Sequence, residues 1–230
     1  MKEHPILFSG PMVRAILSGR KTQTRRVMLP QPPLTADGDV RDSVDGVGFY
    51  TPAKVDRRGE IYPGAEVFGC WGEEWSRRCP YGAPGDRLWV REAWGGIFAH
   101  PETRHLLQAS EVPAVARTKD NNHGLFYAAD DLGVDYTGCL RPSIHMPRWA
   151  SRLALEIVDV RVERLQDIDS RDIEEEGAMT LPEWTGPEAF TLQDLWIKLW
   201  DSINAARGFG WDANPWVWAV TFKRVEVPNA

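Results

Sequence analysis

The run from Ser151 to Leu165 (SRLALEIVDVRVERL) constrains the fold more than any other stretch of this 230-residue chain. Leu153, Leu155 and Ile157 alternate with other residues, and Val160 and Val162 continue the alternation on the opposite parity, with the shift near Val158-Asp159. Period-two burial specifies a strand with one face on the core. A parity shift inside that strand specifies a bulge, a device common in barrels.

Other runs with strand pattern are Pro5–Phe8, Lys21–Val27 (KTQTRRV), Arg87–Trp94 (RLWVREAW), Phe126–Ala129 and Trp216–Val227 (WVWAVTFKRVEV), about six strands in all, at both ends of the chain. In RLWVREAW, Leu88, Val90 and Glu92 fall on one face and Trp89 and Arg91 on the other. Gly10-Pro11 opens a helix with Met12, Ile16 and Leu17 on one side, and Gly19 ends it. Asp169 or Ser170 caps a short helix that runs to Glu176 and stops at Gly177. Pro187–Asn204 reads as a longer amphipathic helix whose apolar set includes Leu192, Leu195, Trp196, Leu199, Trp200 and Ile203. Strands and helices do not alternate as in a doubly wound sheet. The expected class is therefore α+β, a small mixed β-barrel with helices packed on it.

Two stretches lack periodicity, residues 28–85 and 97–124, and both read as irregular inserts in a single domain spanning 1–230. The first is broken by PQPP and CPYGAPGD and has room for a few short hairpins. No internal repeat is present, which argues against solenoids and propellers.

With 43% hydrophobic residues and a formal net charge of −6, the chain is neither disordered nor a generic basic nucleic-acid coat protein. Eleven tryptophans supply core and also flat rings for stacking. Cys70, Cys79 and Cys139 form an odd set without zinc spacing and read as thiols of a reducing cytoplasm. No stretch approaches the length of a membrane span and the N-terminus lacks a cleavage pattern, so a cytoplasmic protein with no membrane partner is expected. Oligomeric state is not legible.

The net charge hides a segregation. Arg14, Arg20, Lys21, Arg25 and Arg26 follow one another with no acid between Glu3 and Asp37, whereas 167–194 holds nine acids and one arginine. The basic cluster is either a solvated charge run or a site. On a regular strand Lys21, Gln23 and Arg25 would share one face and Thr22, Thr24 and Arg26 the other, so Lys21 meets Thr24 only through twist or a bulge. A lysine made less basic by neighbouring cations beside a threonine is a base-and-nucleophile pair. In the acidic stretch, Asp169 and Asp172 suit the dipole at a helix start. Glu176 sits at the end of that helix, where the dipole disfavours a carboxylate, so solvent exposure or another requirement holds it there. Pro142–Arg152 (PSIHMPRWASR) is a proline-punctuated loop carrying His145, Arg148 and Trp149. These suit recognition of a base with its ribose or phosphate, the alternative being that Met146 and Trp149 plug one end of the fold.

Gly19-Arg20-Lys21-Thr22-Gln23-Thr24-Arg25-Arg26 resembles the signature of the ASCH domain superfamily, usually G-x-K-x-x-E-x-R, whose fold is a PUA-like barrel. Thr24 replaces the usual glutamate. In this the segment resembles the bacterial N4-acetylcytidine amidohydrolases, small ASCH proteins with G-R-K-T-x-T-x-R at this place. The segments ILFSGPMVRAILSGRKTQTRRV, YGAPGDRLWVREAW, SIHMPRWASR and DANPWVW also resemble longer ASCH proteins of phages and prophages. The resemblance covers most of the chain apart from the inserts.

It implies a Lys/Thr/Glu triad of Lys21, Thr24 and Glu176. Glu176 precedes Met179-Thr180-Leu181 with one residue more than the family pattern, which keeps Glu175 as its alternative and Glu92 as a more distant rival. The implied reaction removes an acyl group from the exocyclic N4 of cytidine or a related nucleoside. Neither metal nor cofactor is needed. Lys21 takes the Thr24 proton, Thr24 attacks the acyl carbonyl, Glu176 moves a proton to the leaving amine, and Arg26 holds the oxyanion. His145, Arg148, Trp149 and Glu92 are the further substrate-binding candidates, with Trp149 as the ring expected to meet the ligand. Alanine at 21, 24 or 176 is expected to abolish activity in a folded protein. The competing expectations are an RNA-binding module, in which the cations hold a backbone and RNA is the partner, and a metal-independent ribonuclease using His145.

Overall fold

The computed structural model describes residues 1–33, 47–70, 75–96, 125–130, 140–177 and 191–226. In chain order the elements are β1 (Glu3–Leu7), α1 (Gly10–Leu17), β2 (Gln23–Val27), β3 (Val47–Tyr50), β4 (Ala53–Val55), β5 (Ile61–Pro63), β6 (Val67–Cys70), β7 (Ser76–Arg77), β8 (Arg87–Arg91), β9 (Trp94–Gly96), β10 (Leu125–Tyr127), β11 (Ala154–Arg164), α2 (Ser170–Glu175), α3 (Leu192–Asn204) and β12 (Trp216–Val225). The fold is mixed α+β.

Its main sheet has five strands in the order β1-β8-β11-β12-β2. Only β1 and β8 run parallel. β11 and β12 pair from Ala154↔Val225 to Arg164↔Trp216, with the register slipping between Ile157 and Asp159. The bulge expected from the parity shift is therefore present. It lets Leu155 and Ile157 stay fully buried while Val158 turns half outward.

The expected closed barrel is not formed among the described residues: β1 and β2 are the two outer strands and no ladder joins them. Pro5 lies within β1 and has no N–H to donate, a residue suited to an edge strand. The open edges are bridged by side chains instead. Arg26 Nη2 on β2 donates to the Leu7 carbonyl on β1 at 2.6 Å, and the Phe8 ring lies beneath Arg26. Between these strands α1 contributes Val13 and Ile16 to one core with Ile6, Leu88, Leu155, Trp218 and Val220. Pro11 sits in the first turn of α1, and Gly19 (φ 75°) turns the chain into β2.

The first insert is more ordered than its composition suggests. It holds a three-stranded sheet, β3-β6-β7, and the hairpin β4-β5. Phe68 and Trp75 from it enter the main core, where the Phe49 and Phe68 rings lie 6.4 and 6.3 Å from Trp218. Cys79, a free thiol at its end, is pushed up to about 11 by burial. The second insert, 97–124, lies outside the described residues, as does Cys139.

A second core packs Ile173 of α2 against Trp196 and Trp200 of α3, with Leu165 and Val217 beneath. α3 begins at Leu192, where Thr191 and Asp194 form a reciprocal cap; residues 187–190 of the expected helix lie outside the described residues. Among the described residues no helix is long and apolar enough to cross a membrane.

Candidate active site

The site is assembled where the end of α2 docks on the entry to β2. After the Gly19 turn, the Arg20 and Lys21 amides both donate to the Ala15 carbonyl, at 2.9 and 3.1 Å. The Thr22 amide donates to the Glu175 carbonyl at 2.8 Å, and the Thr22 carbonyl accepts from Phe222 at 2.8 Å. β2 is thus fixed to β12 on one side and to the last turn of α2 on the other. Asp169 caps α2 by accepting from the Asp172 amide at 2.7 Å. Gly177 then adopts φ 77°, and a Cβ there would sit 3.1 Å from the Cβ atoms of both Ala15 and Lys21. Only glycine meets both the left-handed backbone and the close approach.

Lys21 is the centre of this junction. Its Nζ donates to the Gln23 carbonyl (2.8 Å), the Glu176 carbonyl (2.8 Å) and Glu176 Oε2 (2.7 Å). An ammonium has three donors, and all three are engaged. The Lys21 and Glu176 side chains are 0% and 2% exposed. Burial drives the Lys21 pKa below its ordinary value, outweighing the opposing pull of Glu176, and the Arg26 and Arg25 charges add to the lowering. The pairing also explains a carboxylate at a helix C-terminus: the same ammonium covers the last carbonyl and the side chain.

Glu176 Oε1 accepts from the Arg25 amide at 2.5 Å. Arg25 is a buried hub. Its guanidinium reaches Glu163 (Nε, 2.8 Å), Asp172 (Nη2, 2.5 Å) and the Gln23 side-chain carbonyl (Nη1, 2.5 Å), so it pins α2 to β11 and β2. Burial raises the Asp172 carboxyl, but the Arg25 charge and its hydrogen bonds overcome this and leave it below its ordinary value. Asp172 is therefore an ion-pair partner as well as a complement to the helix dipole.

Glu176 and Thr24 face a cavity of about 180 Å³. Arg26 shares its β2 flank, Trp196 and Trp200 of α3 form the opposite wall, and Tyr81 and Arg207 complete its border. Lys21 lies behind Glu176 and is not among the lining residues. Lys21 precedes β2, which starts at Gln23, so strand alternation does not set the direction of its side chain. Both residues gather around Glu176. Glu175 turns elsewhere: its carboxylate accepts from Arg171 (3.0 Å) and Gln23 (3.3 Å). Of the two glutamates, Glu176 is the one that meets Lys21. The Met179-Thr180-Leu181 run lies outside the described residues.

Glu92, His145, Arg148 and Trp149 are not brought to this cavity. Glu92 is 1% exposed and forms a two-pronged pair with Arg152 (2.9 and 3.0 Å), which also binds Asp130 and lies 3.9 Å over the Tyr127 ring. Burial raises the Glu92 pKa, against the pull of Arg152. Arg148 pairs with Glu3 at 2.8 and 2.9 Å. The Trp149 ring stands edge-on to Trp94 at 5.8 Å, beside the fully buried Met146, and His145 is exposed on a 3₁₀ turn. The Trp149 ring, partly buried, packs against a small core cluster and does not line this cavity.

Sequence reasoning passed over Trp196, Trp200, Tyr81 and Arg207. The two tryptophans sit four residues apart on an amphipathic face, which marks them as core, and they serve as core and cavity wall together. Tyr81 was hidden in the aperiodic CPYGAPGD. No three His, Cys, Asp or Glu side chains are grouped to hold a metal ion among the described residues.

The fold and the site together define an α+β protein with an open five-stranded sheet and a buried Lys–Glu pair behind an arginine-bordered cavity. In comparisons with family models, curated proteins and solved structures, the chain finds no match in any of the three.

Proposed function

We propose that the protein is an amidohydrolase that removes an acyl group from the exocyclic N4 of a cytidine-type substrate, with Thr24 as nucleophile and the Lys21–Glu176 pair as its proton store. The reading rests on the ASCH-like segment Gly19–Arg26 and extends to a PUA-like ancestry for the sheet. The observation that carries it is the meeting of Lys21 and Glu176, 155 residues apart, behind a cavity that Thr24 also lines.

In this mechanism the reactive tautomer has the shared proton on Glu176 Oε2 and a lone pair on Nζ, a state favoured by the burial that lowers the lysine pKa. Thr24 Oγ attacks the acyl carbonyl and its proton passes to Lys21. The N4–acyl bond breaks as Glu176 protonates the departing amine. Water, deprotonated by Glu176, then attacks the acyl-threonine ester, and Lys21 returns its proton to Thr24 Oγ. The sum is amide plus water to acid plus amine. Arg26 supplies charge for the oxyanion. The cavity, at about 180 Å³, is slightly larger than one of about 150 Å³ that holds a benzene ring, so its volume suffices for a pyrimidine ring.

The RNA-binding reading is less well supported, since a lysine side chain with no exposed surface has no access to a phosphate backbone. The ribonuclease reading is weakened because His145 stands away from the cavity. Incubation with N4-acetylcytidine, followed chromatographically for cytidine and acetate beside a labelled RNA, tests all three. Release of cytidine by the wild type and its loss in Thr24→Val is expected; an inert N4-acetylcytidine with cleaved or retained RNA would overturn the proposal.

A further inference from the structure

The charges around the cavity do not balance. Of its three bordering arginines, Arg25 is matched by Glu163 and Asp172, and the cavity's carboxylate, Glu176, is matched by Lys21. Arg26 and Arg207 remain. Among the described residues neither has a carboxylate within salt-bridge distance. Arg26 gives one N–H to the Leu7 carbonyl and keeps a buried Nε without a partner, while Arg207, exposed just beyond α3, reaches the Asn204 side-chain oxygen at 3.5 Å and lies over the Phe209 ring at 5.9 Å, with no anion beside it among the described residues. Burial raises the Tyr81 phenol, and the charges of Arg26 and Arg207 both pull against it, so the two cations act on one hydroxyl at the cavity border. This is a local excess of positive charge in a chain whose net charge is −6.

A neutral acylated nucleoside leaves that excess unanswered. A substrate carrying a phosphate answers it, and a guanidinium is suited to phosphate because its planar fork of donors matches the oxygens. We infer that the cavity takes a nucleotide, with Arg207 as the residue that selects the phosphate and Tyr81 beside it, while Arg26 stays with the acyl group. This rests on the proposed cytidine-type substrate and narrows it from nucleoside to nucleoside monophosphate.

The test is calorimetric binding of cytidine, cytidine 3′-monophosphate and cytidine 5′-monophosphate to the whole protein, with N4-acetylated forms assayed for hydrolysis in parallel. A charge-assisted contact corresponds to roughly a tenfold to hundredfold preference for one monophosphate over cytidine in Kd. The preference should shrink as salt rises. In Arg207→Ala the ratio should fall towards one, and Arg207→Lys should recover part of it. Equal affinities in the wild type, no binding of either monophosphate, or a ratio unchanged in Arg207→Ala would overturn the inference. A preferred monophosphate whose acetylated form is not hydrolysed would instead remove the amidohydrolase reading and leave the phosphate selection standing.

Discussion

Lys21 Nζ and Glu176 Oε2 meet at 2.7 Å in a place closed to solvent, and the same Nζ holds the Glu176 backbone carbonyl. One ammonium therefore ends α2, neutralises a carboxylate and ties α2 to β2. The Glu176 side chain cannot be removed without leaving that ammonium short of a charge partner. Glu176→Ala is expected to lose about 3–5 kcal/mol of stability, the usual cost of stripping one member from a buried pair. Replacing both, as in Lys21→Met with Glu176→Leu, should recover a large part of it. Urea denaturation of the three proteins checks this, and a Glu176→Ala protein as stable as wild type would refute it. By the same argument Lys21→Ala and Glu176→Ala are expected to be less stable than Thr24→Ala, so loss of activity in the first two has to be read beside their stability.

The lowered pKa of Lys21 makes part of the stability depend on pH, with a definite sign. Burial disfavours the charged form in the folded state, so between the folded value and the ordinary 10.5 the unfolded chain binds more protons. Stability contributed at this residue must rise with pH across that window. The difference in unfolding free energy between wild type and Lys21→Met/Glu176→Gln, followed upward from neutral pH, should shift in favour of the wild type. A flat difference would mean that Lys21 titrates normally.

Long alternation was readable, and so was its consequence. The parity shift at Val158-Asp159 became the bulge of β11, and the Gly19 and Gly177 stops became left-handed turns. The oddity of Glu176 at a helix end was readable as a sign of a partner, though the partner's buried geometry was not. Strands of two to four residues such as β4 and β7 are too short to show a period, which is why the first insert looked irregular. Closure failed as an expectation because it depends on whether two outer strands share hydrogen bonds, and Pro5 enters only as one missing donor among many. Trp196 was legible as core, while its place on the cavity wall was not. Periodicity says that a ring is buried and is silent on whether a cavity lies beside it.

Gly177→Ala probes how tightly the carboxylate is positioned. A methyl group there would press on Ala15 and Lys21 at 3.1 Å while the backbone holds φ 77°. A left-handed non-glycine residue costs about 1–2 kcal/mol by itself, and the contact adds to this. The expected result is a loss of at least that size in thermal or urea unfolding, with a fall in any hydrolytic activity because Glu176 is the adjacent residue. An alanine variant of wild-type stability would show that α2 is free to lift from β2.

Thr24 is where structure and chemistry can be separated. It is the second residue of β2, opposite Val220, and is 3% exposed on the cavity. Valine has its shape and a higher strand preference, but no hydroxyl. Thr24→Val should therefore change stability by no more than about 1 kcal/mol, the span of strand propensities in a host protein, while removing the nucleophile. Thr24→Ser keeps the hydroxyl and should keep measurable hydrolysis of N4-acetylcytidine. Lys21→Arg completes the set: a guanidinium stays protonated near neutral pH and cannot accept the Thr24 proton, so activity should vanish even where the protein remains folded. Acyl-enzyme trapping by mass spectrometry reads the outcome directly, an acetyl adduct on the peptide containing Thr24 in the wild type and Thr24→Ser and none in Thr24→Val. Full activity in Thr24→Val would remove Thr24 as nucleophile and leave the Lys21–Glu176 pair as the base for a directly attacking water.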